Sequence, residues 1–180
     1  MNEVSRWLVV LGTGLLACVA VVRAQPAPAP APDPLGVIPE KLPYNTPYGA
    51  PISAERAQVM LQAAVAEANK RGWPLNIAVV DSGGNLVAFL RMDGAQLASI
   101  AVAQHKARVA VKFRRPTKVF EDAVQKQDYK YVLTLDDVIA SRGGIPIIED
   151  GKLIGAIGCS GGTGSQDELV CAAGAATINR

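Results

Sequence analysis

Between Ser53 and Arg71 the apolar residues Ala57, Met60, Leu61, Ala64, Val65 and Ala68 recur at three- and four-residue spacing. This is the signature of a helix with one buried face. Ser53 supplies an N-cap, Gly72 a residue suited to the position past the C-terminus, and Pro74 stops any continuation. The rhythm then changes. Leu75–Val80 and Leu86–Arg91 are short apolar runs rich in β-branched residues, and the Asp81–Asn85 turn between them predicts a hairpin. Met92-Asp93-Gly94 breaks the pattern, and Ala95–Phe113 predicts a second helix. Small apolar residues occupy nearly every side of it, with His105, Lys106 and Arg108 as polar interruptions. A helix that is apolar all round is a buried one. Thr117 is placed to cap a short third helix over Lys118–Gln125, and Tyr131–Leu135 reads as a short strand.

From Gly143 to Asp167 the chain reads GGIPIIEDGKLIGAIGCSGGTGSQD. Ile145, Ile147 and Ile148 around Pro146 form an edge strand or a strand start, and Asp150-Gly151 is a two-residue turn. Leu153, Ile154 and Ile157 then alternate with glycine and alanine, so another backbone, a helix or a ligand is expected to approach that strand closely. The loop Ser160–Ser165 leads into a last helix that begins at Ser165 or Asp167 and runs through Ala176. Helix, hairpin, two helices, hairpin and helix make an α+β fold: an antiparallel sheet flanked by helices, not a parallel doubly wound sheet.

Upstream of this domain the pattern is of another kind. Met1–Ala24 has a basic Arg6, an uncharged apolar run from Trp7 to Val22, and small or modest residues at Val22 and Ala24. It reads as a secretory signal cleaved before Gln25, which predicts a periplasmic or secreted bacterial protein with no membrane span in the mature chain. An uncleaved anchor and a lipid attachment at Cys18 are the competing readings. Gln25–Pro34 is a Pro-Ala repeat, hence an extended spacer without a core. The expected organisation is 1–24 signal peptide, 25–51 linker and proline-punctuated arm with Tyr44 and Tyr48, and 52–180 globular domain.

Composition narrows the chemistry. The net charge of +2 carries no basic block beyond Lys112, Arg114, Arg115 and Lys118, which argues against nucleic acid as a partner. After export two cysteines remain, Cys159 and Cys171. They are read as more often unpaired than paired, because strand and helix geometry can hold them apart. The absence of C-x-x-C-H excludes covalent c-type haem.

Three stretches together resemble one family: AVVDSGGNLVAFLRMDGA (Ala78–Ala95), ASIAVAQHKARVAVKFRRPT (Ala98–Thr117) and GGIPIIEDGKLIGAIGCSGGTGSQDELVCAAGAA (Gly143–Ala176). In this order they are similar to the haem-binding GlcG/HbpS family of small bacterial domains. The resemblance implies a profilin-like sandwich that assembles into homo-oligomers. It also implies haem binding in some members and association with small-acid catabolism in others. It implies no settled catalytic set. Many members carry an acidic or amide residue in the second helix where this chain has His105.

Each candidate residue has two readings. His105, the only histidine, is either an axial ligand to haem iron or a packed histidine satisfied by a hydrogen bond. Arg91, Lys106, Arg114 and Arg115 either pair with haem propionates or a substrate carboxylate, or are solvated surface. Met92 is a weak ligand or a core gap-filler. Ser160, Gly161, Gly162 and Thr163 either cradle a carboxylate or simply turn the chain. The spacing fits neither a phosphate-binding Gly-Lys-Ser/Thr loop nor a nucleophile elbow. The expected function is an exported haem-binding carrier or sensor accessory without turnover. The alternatives are an enzyme or binding protein for a small organic acid or its imine, and an oligomer that scaffolds a partner through its proline-rich arm.

Overall fold

The structure, a computed structural model, describes residue 36 and residues 38–179. The expected signal peptide and the Pro-Ala spacer lie outside the described residues. Residues 39–180 cluster as one unit, and its elements follow.

Helix α1 (Ala54–Arg71) starts where the Ser53 side chain accepts from the Arg56 N–H, and it ends at Gly72 with φ +67. Strands β1 (Asn76–Asp81) and β2 (Leu86–Arg91) form the first hairpin. Helices α2 (Ala98–Lys112) and α3 (Lys118–Gln127) follow. Strands β3 (Gly144–Glu149) and β4 (Lys152–Ser160) form the second hairpin, and α4 (Gly164–Ala175) closes the chain. The second turn is tight because Asp150 and Gly151 both take positive φ, as a two-residue hairpin connection requires. The strands make one antiparallel sheet in the order β2-β1-β4-β3.

Alternation along β1 divides the core in two. Ile77 and Val79 face α1 and α4 with Ile157 and Cys159, whereas Ala78 and Val80 face α2 with Ala103, Ala107 and Ala110. The α2 face is built from small residues for a steric reason. A Cβ on Gly158 would lie 2.1 Å from the Ala103 carbonyl oxygen, and one on Gly144 would lie 2.3 Å from that of Lys106. The close approach expected at the strand glycines is therefore that of a helix backbone.

Four local expectations are corrected. Helix α2 begins at Ala98, three residues late, because Met92–Ala95 closes a turn through Gly94 at φ +81. Lys130–Thr134 is a 3₁₀ segment, not a strand; it holds itself by local bonds such as Val132 N–H to Tyr129 O and buries only Val132. Helix α4 begins at Gly164, since Thr163 and Gln166 form a capping box ahead of the expected start. Cys159 and Cys171 are joined in a disulfide with Cα atoms 5.6 Å apart. The loop after β4 folds α4 back across the same sheet face, which brings the two cysteines together.

Candidate functional site

Among the described residues two places stand out, each built around a candidate cation. The first lies under the glycine loop. Lys106 points from α2 toward the sheet, and its Nζ donates to Asp167 Oδ2 at 2.7 Å. The two side chains are 1% and 3% exposed, so this is a buried ion pair. The other carboxylate oxygen accepts from the Gly162 N–H at 3.0 Å. Burial pushes the Asp167 carboxyl above its ordinary value, against the pull of Lys106 and of the loop N–H groups. Gly143 leaves the space this pair occupies: a Cβ there would meet Asp167 Cβ at 2.8 Å and Lys106 Nζ at 3.2 Å. Of the expected carboxylate cradle, Gly162 already serves the chain's own carboxylate, Thr163 is the α4 cap, and Ser160 is buried. The small-acid reading needs donors that Asp167 and Gln166 hold.

The second place is a groove of about 380 Å³ between the end of α2, α3 and the 3₁₀ segment. Its walls include Tyr44, Phe113, Phe120, Tyr129 and Tyr131, with Arg115 among them. Phe113 and Phe120 meet edge to face at 5.1 Å. The Arg115 guanidinium sits 4.0 Å from the Tyr44 ring centre and 5.6 Å from that of Phe120. Its Nε donates to the Phe113 carbonyl oxygen at 3.0 Å. Among the described residues no carboxylate neutralises it, and burial lowers its pKa while leaving it charged at any ordinary pH. Such a groove, apolar and aromatic with one fixed cation, suits a flat apolar ligand bearing an anionic edge.

The remaining candidates lie apart from both places. His105 is one-third exposed, and its Nε2 lies 3.0 Å from the Asp137 carbonyl oxygen and 3.4 Å from Asp137 Oδ1. A carbonyl only accepts, so Nε2 is the protonated nitrogen, and ligation through it would first break this bond. Lys112 pairs with the same Asp137. Arg114 lies over the Tyr48 ring at 5.7 Å and reaches the Thr46 carbonyl oxygen at 3.4 Å. Arg91 is exposed at the end of β2. Met92 accepts from the Leu75 N–H through sulfur at 3.4 Å and packs on the core, which is its gap-filling reading. The structure thus unites Lys106 with the glycine loop, separates Arg115 from it, and leaves His105 and Arg91 alone.

The sequence marks Asp167 only as a possible start of the last helix, and its spacing does not mark the aromatic walls as one site. A signal for the walls existed: in a chain with 5% aromatics, Phe113, Phe120, Tyr129 and Tyr131 fall within one short stretch. Among the described residues no group of three or more acidic, histidine or cysteine side chains is placed to hold a metal ion, and no helix is long and apolar enough to cross a membrane.

The fold is a two-faced α+β sandwich with an aromatic groove outside its sheet. Residues 52–176 match the family described as haem-degrading protein HbpS-like, and the chain belongs to that family. Protein GlcG of Escherichia coli K12 is 39% identical over 109 residues, 61% of this chain and 81% of that protein. The crystal structure of a PduOC–haem complex superposes with a TM-score of 0.65 at 31% identity, covering 72% of this chain and 96% of the other. That of HbpS gives 0.66 at 31% identity, covering 73% and 93%.

Proposed function

We propose that this chain binds haem in the aromatic groove, with Arg115 pairing a propionate, and that it acts as an exported carrier or sensor accessory without turnover. The observation that carries the reading is Arg115: a half-buried guanidinium among aromatic rings with no carboxylate beside it in the described residues. Membership of the HbpS-like family and the haem complex of PduOC support it. The residues fit the group. The volume is at the low end of ordinary ligand pockets, which run from about 300 to 1,000 Å³, so a macrocycle would be seated at one edge. Tyr131 and Leu135 line the groove and stay exposed, and a second copy of the chain would cover the remainder. The reading without turnover is supported by the lining, where the polar side chains other than tyrosine are Arg115 and Gln127, neither a general base at neutral pH. Export is supported by Cys159–Cys171, since disulfides persist in oxidising compartments.

The test is a haemin titration of the protein followed in the Soret band, with size-exclusion before and after. A saturable shift that weakens about tenfold in Arg115→Ala, and leaves the macrocycle intact after incubation with a mild reductant, is the expected result. No saturable shift overturns haem binding. A shift lost in His105→Ala and indifferent to Arg115→Ala moves the ligand to His105. Bile-pigment absorbance rising as the Soret band falls overturns the reading without turnover.

A further inference from the structure

The HbpS-like match begins at residue 52, yet one wall of the groove comes from upstream of it. Residues 46–52 are laced onto the domain. The Leu153 N–H donates to Pro47 O at 2.8 Å, the Gly49 N–H to Leu153 O at 2.7 Å, and the Ile52 N–H to Ile154 O at 2.9 Å. Tyr48 pairs in parallel with Leu153, and its hydroxyl donates to Lys112 O at 3.0 Å. That carbonyl belongs to the last turn of α2, where no intrahelical partner exists. Gly49 is tight against β4: a Cβ there would lie 2.9 Å from Lys152 Cβ. The strap is therefore pinned by its own backbone, and its outer end delivers Tyr44 to Arg115. Tyr44 has φ +55, a left-handed conformation uncommon for a residue that is not glycine.

We infer that Tyr44 is a specificity-determining residue of the groove: its ring covers one face of the Arg115 guanidinium, and this turns the N–H edge toward a ligand carboxylate. This deepens the haem reading above and rests on it. Phe120 approaches the same guanidinium at 5.6 Å, so two rings lie against the cation and leave its edge as the place for free donors. A planar guanidinium bonds carboxylate through that edge, in the plane of the group. Tyr44 thus acts on the ligand in two ways, as a wall against the apolar plate and as the clamp that orients Arg115. The site of this chain then depends on a segment that the family-matched region does not contain.

The experiment uses the full chain with Tyr44→Ala and Tyr44→Phe, titrated with haemin and with haemin dimethyl ester, which has the same plate and no carboxylate. Tyr44→Ala is expected to weaken haemin about tenfold, the scale of a partly desolvated cation–π contact. It should weaken the diester less, and Tyr44→Phe should stay within about twofold of the parent because the ring is retained. In the parent, haemin should also slow tryptic cleavage after the exposed Lys41, a readout that needs no variant to fold. Saturable haemin binding that Tyr44→Ala leaves unchanged, or an equal loss for haemin and diester, overturns this inference and spares the haem reading. A cleavage rate indifferent to bound haemin also overturns it. No saturable binding by the parent overturns both.

Discussion

Lys106 and Arg115 come from the same stretch of chain, nine residues apart, and they have opposite fates. Lys106 is sealed between α2 and β4, with Asp167 at 2.7 Å and the Gly162 N–H on the far side of that carboxylate. Its charge is answered from within, and the glycine loop is closed around the answer. Arg115 is held by rings and one carbonyl, and within the described residues no acid answers it. Burying an uncompensated charge is costly, so a fold keeps such a group only where the cost stays small or a ligand offsets it. The comparison separates a cation that belongs to the architecture from one that no acid neutralises among the described residues. Position in sequence does not distinguish them; the direction of each side chain does.

The comparison breaks most visibly if the internal answer is removed. Asp167→Ala should cost about 3–5 kcal/mol, because it leaves a buried ammonium without a partner. Urea unfolding measures this, and a loss below about 1 kcal/mol would place Lys106 in contact with water. Replacing both members, Lys106→Met with Asp167→Leu, should recover most of that loss, since an apolar pair of similar volume avoids desolvating either charge. Next in size is Cys159→Ser with Cys171→Ser. The bridge spans 12 residues that contain the glycine loop and the start of α4, and its removal should cost about 2–4 kcal/mol by thermal unfolding. Haemin affinity of the folded protein should not follow it.

Arg115→Ala should show the reverse pattern: a stability change within about 1 kcal/mol, the scale of a half-exposed cation–π contact, together with the weakened haemin binding already described. A large stability loss without a binding loss would make Arg115 architectural like Lys106. The smallest effect concerns acid. Lys118 and Lys126 hold the Asp122 carboxyl on α3 at about 2, below its ordinary 3.8. A depressed folded pKa contributes stability that is present above pH 3.8 and lost as pH falls toward 2. Asp167, raised by burial, has the opposite sign: its contribution is present in acid and declines as pH rises through its folded pKa. Asp122→Asn should therefore flatten the acid limb of a stability-versus-pH curve followed by circular dichroism.

Much of the architecture was legible because it is carried by local rules. The spacing from Ala57 to Ala68, the caps at Ser53 and Gly72, and the Asp150-Gly151 turn need only near neighbours to be read. The strand glycines announced a close approach, and Gly158 under α2 is that approach. The 3₁₀ segment escaped because a run such as Tyr131–Leu135 satisfies β propensity and a three-residue period alike, and only packing decides. Lys106 escaped for a related reason. In a helix surrounded by alanine the periodic signal barely marks a face, although Ala103 and Ala110, one turn to either side, are both buried. Its partner is 61 residues away.

The sequence by itself determined the four helices and two hairpins, their order, the α+β class and the family, because periodicity, caps and turns act over a few residues and are written in them. Tertiary structure alone decided which cation is paired inside and which is left among aromatic rings without an acid, that Tyr44 meets Arg115, and that Cys159 meets Cys171. Those outcomes depend on where distant segments cross, and the free energy of a charge is set by what surrounds it in space rather than by what adjoins it along the chain.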